Sequence, residues 1–337
     1  MLTHVDDLDP VAVIGDRWFT GLRDVTSDVS ALDSAGSWIV VVVFEGEAVC
    51  ARFDRVLGAP TGWPAWSGPP AGAWSSSLDR DAFHKGVVDI REAIAAGDVY
   101  EVNLCRVLSA PLSSAADIAG LGGVLRVGNP SPYGAVVRLP GVVELASASP
   151  ELFLRREGDV VESRPIKGTA PSGAAFTDKD RAENVMIVDL VRNDLGRVCA
   201  YGSVSVPALC AVEHHPGLDH LVSTVVGRLR PDAGWAELLG ATFPPGSVTG
   251  APKIAALDTI RKLEPVRRGP YCGTVGWVHG SDGRSCGELN VGIRTFWLED
   301  GRLNFGTGGA VTWDSTPDGE WAETELKASR LIALASG

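Results

Sequence analysis

The chain reads as an α+β protein built on antiparallel sheets, and three observations carry that expectation. Strand-like runs follow one another across tight turns, as in "AVVRLPGVVELASASPELFLRREGDVVESRPIKGT". Helical segments interrupt these runs without the strict alternation that a doubly wound parallel sheet needs. "DGEWAETELKASRLIALAS" ends the chain with the periodicity of an amphipathic helix.

Taken in order, Trp38–Phe44 is a β-branched apolar run of strand length and reads as a buried strand. Residues 58–77, rich in Gly, Pro, Ser and Trp, read as a surface loop whose three tryptophans cover the body. "DAFHKGVVDIREAIAAGDVYEVNL" carries helical spacing to a Gly-Asp stop and then a short strand. "TDKDRAENVMIVDLVRNDLGRV" reads as a helix with Thr177 as N-cap and acidic residues in its first turns. "GWAELLGATFPPGSVTGAPKIAALDTIRKLEP" is a helix, a Pro/Gly/Ser loop and a second helix. "GPYCGTVGWVH", "GELNVGIRTFWLED" and "GRLNFGTGGAVTW" are strand-like.

Composition bounds the function classes. The 337 residues are 45% hydrophobic, enough for a substantial core, and no run approaches the roughly 18 apolar residues of a membrane span. The start "MLTHVDDLDP" lacks the basic and apolar regions of a signal peptide, so a soluble cytoplasmic protein is expected. Six scattered cysteines form neither a disulfide framework nor a zinc pattern. A net charge of −12 argues against nucleic acid as a partner.

Several residues carry possible chemistry. Lys167 sits in "ESRPIKGTAP", where proline and glycine argue for a rigid turn or strand end. Asp180 with Glu183, and Glu320 with Glu323, are three apart on helices, so each pair shares a face. Such pairs are ordinarily solvated; two converging pairs would give an all-oxygen shell suited to Mg²⁺. "GTGGAV" (306–311) is either an anion cradle or a hairpin turn. Arg294 suits a carboxylate if it points inward and a polar strand face if not. His220 is a general acid or a satisfied core histidine.

The motifs "SPELF", "SRPIKGTAP", "DRAENVMIVDLVRNDLGRV", "HLVSTV", "FPPGSVTGAPKIAALDTIRKLEP", "RGPYCGTVGW", "LNVGIRTF" and "EWAETELKA" occur in this order and closely resemble the chorismate-binding enzymes. The resemblance covers residues 80–333 and implies one body over 1–337, with a shortened, variable part before residue 80. It implies two large, mainly antiparallel sheets packed face to face, helices outside, and a Mg²⁺-dependent site between them. By position it assigns Glu183, Glu320, Glu323 and Asp180 to the metal. Arg294, Tyr271, Lys327, Thr169, Ser247 and the amides of Gly308 and Gly309 go to substrate. Glu151 and His220 act at the leaving hydroxyl.

Within the family, "PIKGT" resembles the aminodeoxychorismate synthases, where anthranilate synthases carry "PIAGT". The resemblance makes Lys167 a nucleophile toward chorismate. Ammonia is expected from a separate glutamine amidotransferase subunit, with 4-aminobenzoate further downstream. Burial near Mg²⁺ and Arg294 is expected to lower the pKa of Lys167, and Lys167→Ala to cost little stability because it recreates "PIAGT". One departure stands out: ammonia-using relatives commonly read "GD-x-Y-Q-V-N-L", and this chain has Glu101 for the glutamine.

Overall fold

A computed structural model describes residues 9–215, 218–281 and 283–337; the reading of the first eight residues lies outside them. The α+β expectation holds. Among the described residues, eighteen strands form one sheet. The N-terminal strands are β1 (Val11–Ile14), β2 (Arg17–Thr26), β3 (Gly36–Val42), β4 (Ala48–Gly58), β5 (Ser75–Ser76) and β6 (Glu101–Pro111). The next six are β7 (Tyr133–Leu139), β8 (Val143–Ser149), β9 (Leu152–Glu157), β10 (Val160–Arg164), β11 (Ile166–Pro171) and β12 (Ser205–His215). The last are β13 (Leu218–Arg228), β14 (Gly250–Ala251), β15 (Thr274–Ser281), β16 (Arg284–Val291), β17 (Thr295–Glu299) and β18 (Arg302–Val311).

Every pairing among them is antiparallel. From β12 the ladder runs through β13, β10, β9, β16, β15, β3, β4 and β2. It crosses the β1–β2 hairpin into β1, β7, β8, β17, β18 and β6. The two expected sheets are thus two arms of one continuous ladder. They share a core in which Val40 and Leu289 of one arm join Leu104 and Val311 of the other.

Six helices cover this sheet: α1 (Arg80–Ala96), α2 (Ile118–Gly128), α3 (Asp178–Gly196), α4 (Trp235–Thr242), α5 (Lys253–Leu263) and α6 (Pro317–Ala335). Thr177 caps α3 as its sequence predicts, accepting from the Asp180 amide. The sequence does not announce α2, because four glycines in "AGLGGVLRVG" lower its helix propensity. Close packing explains them: a Cβ at Gly122 would lie 2.2 Å from Val136 Cγ2, on β7. The loop over 58–77 does cover the body. Trp66 Nε1 donates to Ala335 O at 2.9 Å and Trp74 Nε1 to Ser336 Oγ at 3.1 Å.

One buried clamp ties the helices behind the sheet together. Lys253 Nζ donates to Asp194 Oδ2 at 2.6 Å, Thr242 O at 3.0 Å and Pro244 O at 2.9 Å. It joins the ends of α3 and α4 to the start of α5. Removing one partner of a buried pair leaves the other charge without compensation. Lys253→Met should therefore destabilise the fold by about 3 kcal/mol, read as a lower denaturant midpoint at unchanged slope.

Candidate active site

Lys167 is placed by a bulge. β11 pairs with β13 as Ile166↔Val222 and then Thr169↔His220, a one-residue shift that spans Lys167 and Gly168. Gly168 takes φ +89°, and a Cβ there would lie 3.0 Å from Asp180 Cβ. Bulges of this kind re-aim a side chain, and here Lys167 is buried. Its Nζ donates to Glu101 Oε1 at 2.9 Å. Glu101, at the first position of β6, is 0% exposed, and its Oε2 has no hydrogen-bond partner. Short β14 runs beside it: a Cβ on Gly250 would lie 2.1 Å from Glu101 O, so only glycine fits.

The lowered lysine pKa was expected for a site that holds Mg²⁺; the protein groups by themselves act in the opposite direction. Burial does push it down, but Glu101 and Glu183, with Glu151 behind them, outweigh burial and hold it above the ordinary lysine range. The carboxylates of the protein alone thus favour the ammonium form of Lys167.

Glu151 follows Pro150 in the break between β8 and β9, where Ser149 Oγ accepts its amide at 3.2 Å. Burial pushes its carboxyl up to about 7, against the opposing pull of a Ser247 hydrogen bond, the charge of Lys167 and the Ile166 amide. Ser247 therefore reaches Glu151, a contact the sequence does not foretell. Arg294 sits just before β17 at φ +53°, uncommon for a non-glycine residue and a conformation associated with functional sites. Its guanidinium is half-buried and makes no hydrogen bond or ion pair with the described residues, although Glu151 is near enough to influence it. The β17–β18 ladder starts at Phe296↔Phe305. Continued, its register would set Arg294 opposite Thr307; the left-handed kink instead turns the chain away there. "GTGGAV" is thus the interior of β18, paired with β6 along its length, and not a hairpin turn.

The carboxylate helices do converge. Glu183 on α3 and Glu323 on α6 act on each other as like charges, and burial and Glu323 hold Glu320 above the carboxylate range. Burial likewise raises Glu183, while Lys167 opposes it. Lys179 stands 3.6 Å from Glu183 Oε1, and Lys327 stands 2.6 Å from Glu323 Oε1. Glu320 Oε2 is buried with no partner, and a Cβ on Gly309 would lie 3.0 Å from it. An all-carboxylate set with an orphaned, space-cleared oxygen fits the donor chemistry of Mg²⁺. Among the described residues no three such side chains are already gathered closely enough to hold an ion. Asp180 stands apart: its carboxylate accepts from Thr177 N at 2.8 Å and Thr177 Oγ1 at 2.7 Å, so it works as a helix cap.

Other assignments divide similarly. Thr169 Oγ1 and His220 Nδ1 are 2.9 Å apart on neighbouring strands beside Lys167. Lys327 Nζ also donates to Gly308 O at 3.0 Å, so it braces β18 as well as Glu323. Tyr271 belongs to a different buried group: its hydroxyl is 3.9 Å from Cys105 Sγ, with Arg268 and Cys272 beside it, where the resemblance had set it on the substrate with Arg294. Sequence reasoning missed Glu101 as the partner of Lys167 and Lys179 as the partner of Glu183. The signal for the first was the unusual glutamate itself.

The Lys167–Glu101 pair corrects the stability expectation for Lys167→Ala. Removing the amine leaves a fully buried carboxylate alone. The variant should lose about 3 kcal/mol, and adding Glu101→Gln should restore most of it, as measured by urea unfolding.

Comparison with known proteins places this geometry. The family model for chorismate binding enzyme matches residues 56–333. The chain is 39% identical over 297 residues to anthranilate synthase component 1 1 of Haloarcula marismortui, covering 83% of this chain and 59% of that protein. It is 38% identical over 273 residues to aminodeoxychorismate synthase component 1 of Escherichia coli, covering 77% and 58%. The chain thus spans less than two thirds of the length of these relatives. The solved structure of MenF, the menaquinone-specific isochorismate synthase of Escherichia coli, superposes with a TM-score of 0.82 at 17% identity, covering 99% of this chain and 90% of that one. With the fold, the convergent carboxylates and the match over most of its residues in agreement, this chain belongs to the chorismate-binding enzyme family.

Proposed function

We propose that the chain is the chorismate-using component of an aminodeoxychorismate synthase, converting chorismate and ammonia to 4-amino-4-deoxychorismate. The observation that carries this reading is the buried amine of Lys167, aimed by a β-bulge among Glu101, Glu183 and Glu151. An anthranilate synthase adds ammonia at C2 directly and has no use for a lysine there. Similarity alone does not choose, since the two relatives are 39% and 38% identical. The buried amine is what supports the first reading over the second.

Each group has a task that fits its surroundings. A Mg²⁺ ion held by Glu183, Glu320 and Glu323 supplies the positive charge that a ring carboxylate needs in this acidic neighbourhood. Arg294, half-buried and without a protein partner, suits the second carboxylate of the substrate as a bidentate donor. Glu151, protonated up to about pH 7, is matched to protonating the departing C4 hydroxyl. Lys167 attacks C2 as that hydroxyl leaves. Ammonia then enters at C4 as the lysine departs, so the two substitutions deliver nitrogen to the carbon the hydroxyl vacated. Ammonia would come from a separate glutamine amidotransferase, because at neutral pH only a small fraction of free ammonium is the attacking NH3, so ammonium substitutes for the partner only at high concentration.

Incubation with chorismate, Mg²⁺ and ammonium, followed by mass spectrometry, tests the reading. Aminodeoxychorismate should form and should be lost in EDTA or in Glu320→Gln. Anthranilate as the product would replace the reading with the anthranilate synthase one. In Lys167→Ala/Glu101→Gln, chosen to keep the core balanced, aminodeoxychorismate formation should fall by about 10³-fold or more as the covalent route is lost.

The pH profile follows from Glu151. Its acid form is the working one, and in the free enzyme that form is lost as pH rises through about 7. The value of kcat/KM should therefore fall on the alkaline side of about pH 7, and Glu151→Gln should remove that limb along with most of the rate.

A further inference from the structure

An amine that is to attack carbon must have shed its extra proton, and one carboxylate oxygen lies within hydrogen-bond reach of Lys167 Nζ. Three facts bear on the point. Glu101 Oε1 is the hydrogen-bond acceptor of Lys167 Nζ, at 2.9 Å. Glu101 is wholly buried, so bulk water is not the base that meets this amine. Its second oxygen, Oε2, is buried and without a partner, so the carboxylate is held by one bond and is under-satisfied as an anion.

We propose that Glu101 is the proton acceptor that converts Lys167 from ammonium to amine, which makes it a catalytic residue of the proposed reaction. The inference rests on the lysine-nucleophile reading. The other titratable groups facing the amine are Glu183 from α3, Glu151 from the break between β8 and β9, and Glu323 from α6. Glu183 and Glu323 belong to the metal set and Glu151 works as an acid, so Glu101 is the carboxylate left free to act as base. A glutamine in its place can accept the same hydrogen bond but cannot take the proton.

The step balances. Glu101 Oε1 takes one proton from Lys167 Nζ, and the freed lone pair forms the N–C2 bond. Both ring double bonds shift, carrying the electrons from C2 by way of C1, C6 and C5 to C4, and the C4–O bond breaks, with the proton of Glu151 leaving in the water so formed. When ammonia adds at C4, the C2–N bond breaks and the lysine leaves as a neutral amine. Glu101 returns its proton to that amine, and the new C4 ammonium returns one to Glu151.

The test is formation of the covalent adduct on the peptide that contains Lys167, followed by quenched mass spectrometry with chorismate and Mg²⁺ and no ammonia. Wild type should form the adduct. Glu101→Gln should form it about 10²-fold more slowly near pH 7, with the deficit shrinking as pH approaches the range where lysine loses its proton unaided. Glu101→Asp, which keeps a carboxylate, should recover part of the neutral-pH rate. Chorismate affinity, measured by calorimetry, should be little changed in Glu101→Gln, which separates a proton-transfer role from a structural one. An adduct in Glu101→Gln at the wild-type rate and with the wild-type pH profile overturns the assignment of Glu101 while leaving the lysine reading intact. No adduct in wild type, together with undiminished aminodeoxychorismate formation by Lys167→Ala, overturns both.

Discussion

A glutamate with no exposed surface has to be balanced by something, and in this protein Lys167 balances it. An isolated carboxylate in such a place would be too costly to keep ionised. The pair in turn makes demands on the backbone. Glu101 needs β14 pressed against it, which only a glycine at 250 permits. Lys167 needs a bulge, which Gly168 supplies at φ +89°. Two glycines and one ion pair therefore lock the start of β6 to the start of β11, strands far apart in the chain.

Around that pair the site is a problem in arranging negative charge. Glu151, Glu183 and Glu320 are all held above the carboxylate range, chiefly by burial. Cations stand against some of them: Lys167 beside Glu101, Lys179 beside Glu183 and Lys327 beside Glu323. Glu320 Oε2 and Glu101 Oε2 are left without a partner. Unsatisfied buried polar atoms are uncommon in folded proteins. Arg294 complements them as a cation with no side-chain partner among the described residues, standing just before β17 at φ +53°.

Most of the fold was legible because its signals are local. Thr177 caps α3 and the alternating runs became strands. Helix α2 was not legible, because its glycines serve contacts with Val136 and Trp63 that no local pattern shows. The interior of β18 was misleading for a related reason: "GTGGAV" resembles a turn, but its glycines make room for Cys105 and Glu320 against an uninterrupted strand. The candidate site divided in the same way. The i, i+3 carboxylate pairs were readable as shared helix faces, but the cap that occupies Asp180 could be separated from its neighbour Glu183 only by where each oxygen points.

By itself the sequence determined the family, the antiparallel α+β architecture, and the carboxylates and lysine of the candidate site. It could do so because motifs and periodicities are properties of short stretches of chain. The charge state of Lys167 was decided by the tertiary structure alone. Burial by itself argues for a neutral amine, and burial is all that the local sequence suggests. The balance reverses once Glu101, Glu183 and Glu151 are brought in from β6, α3 and the β8–β9 break, because Coulomb attraction depends on distance in space and not on separation along the chain.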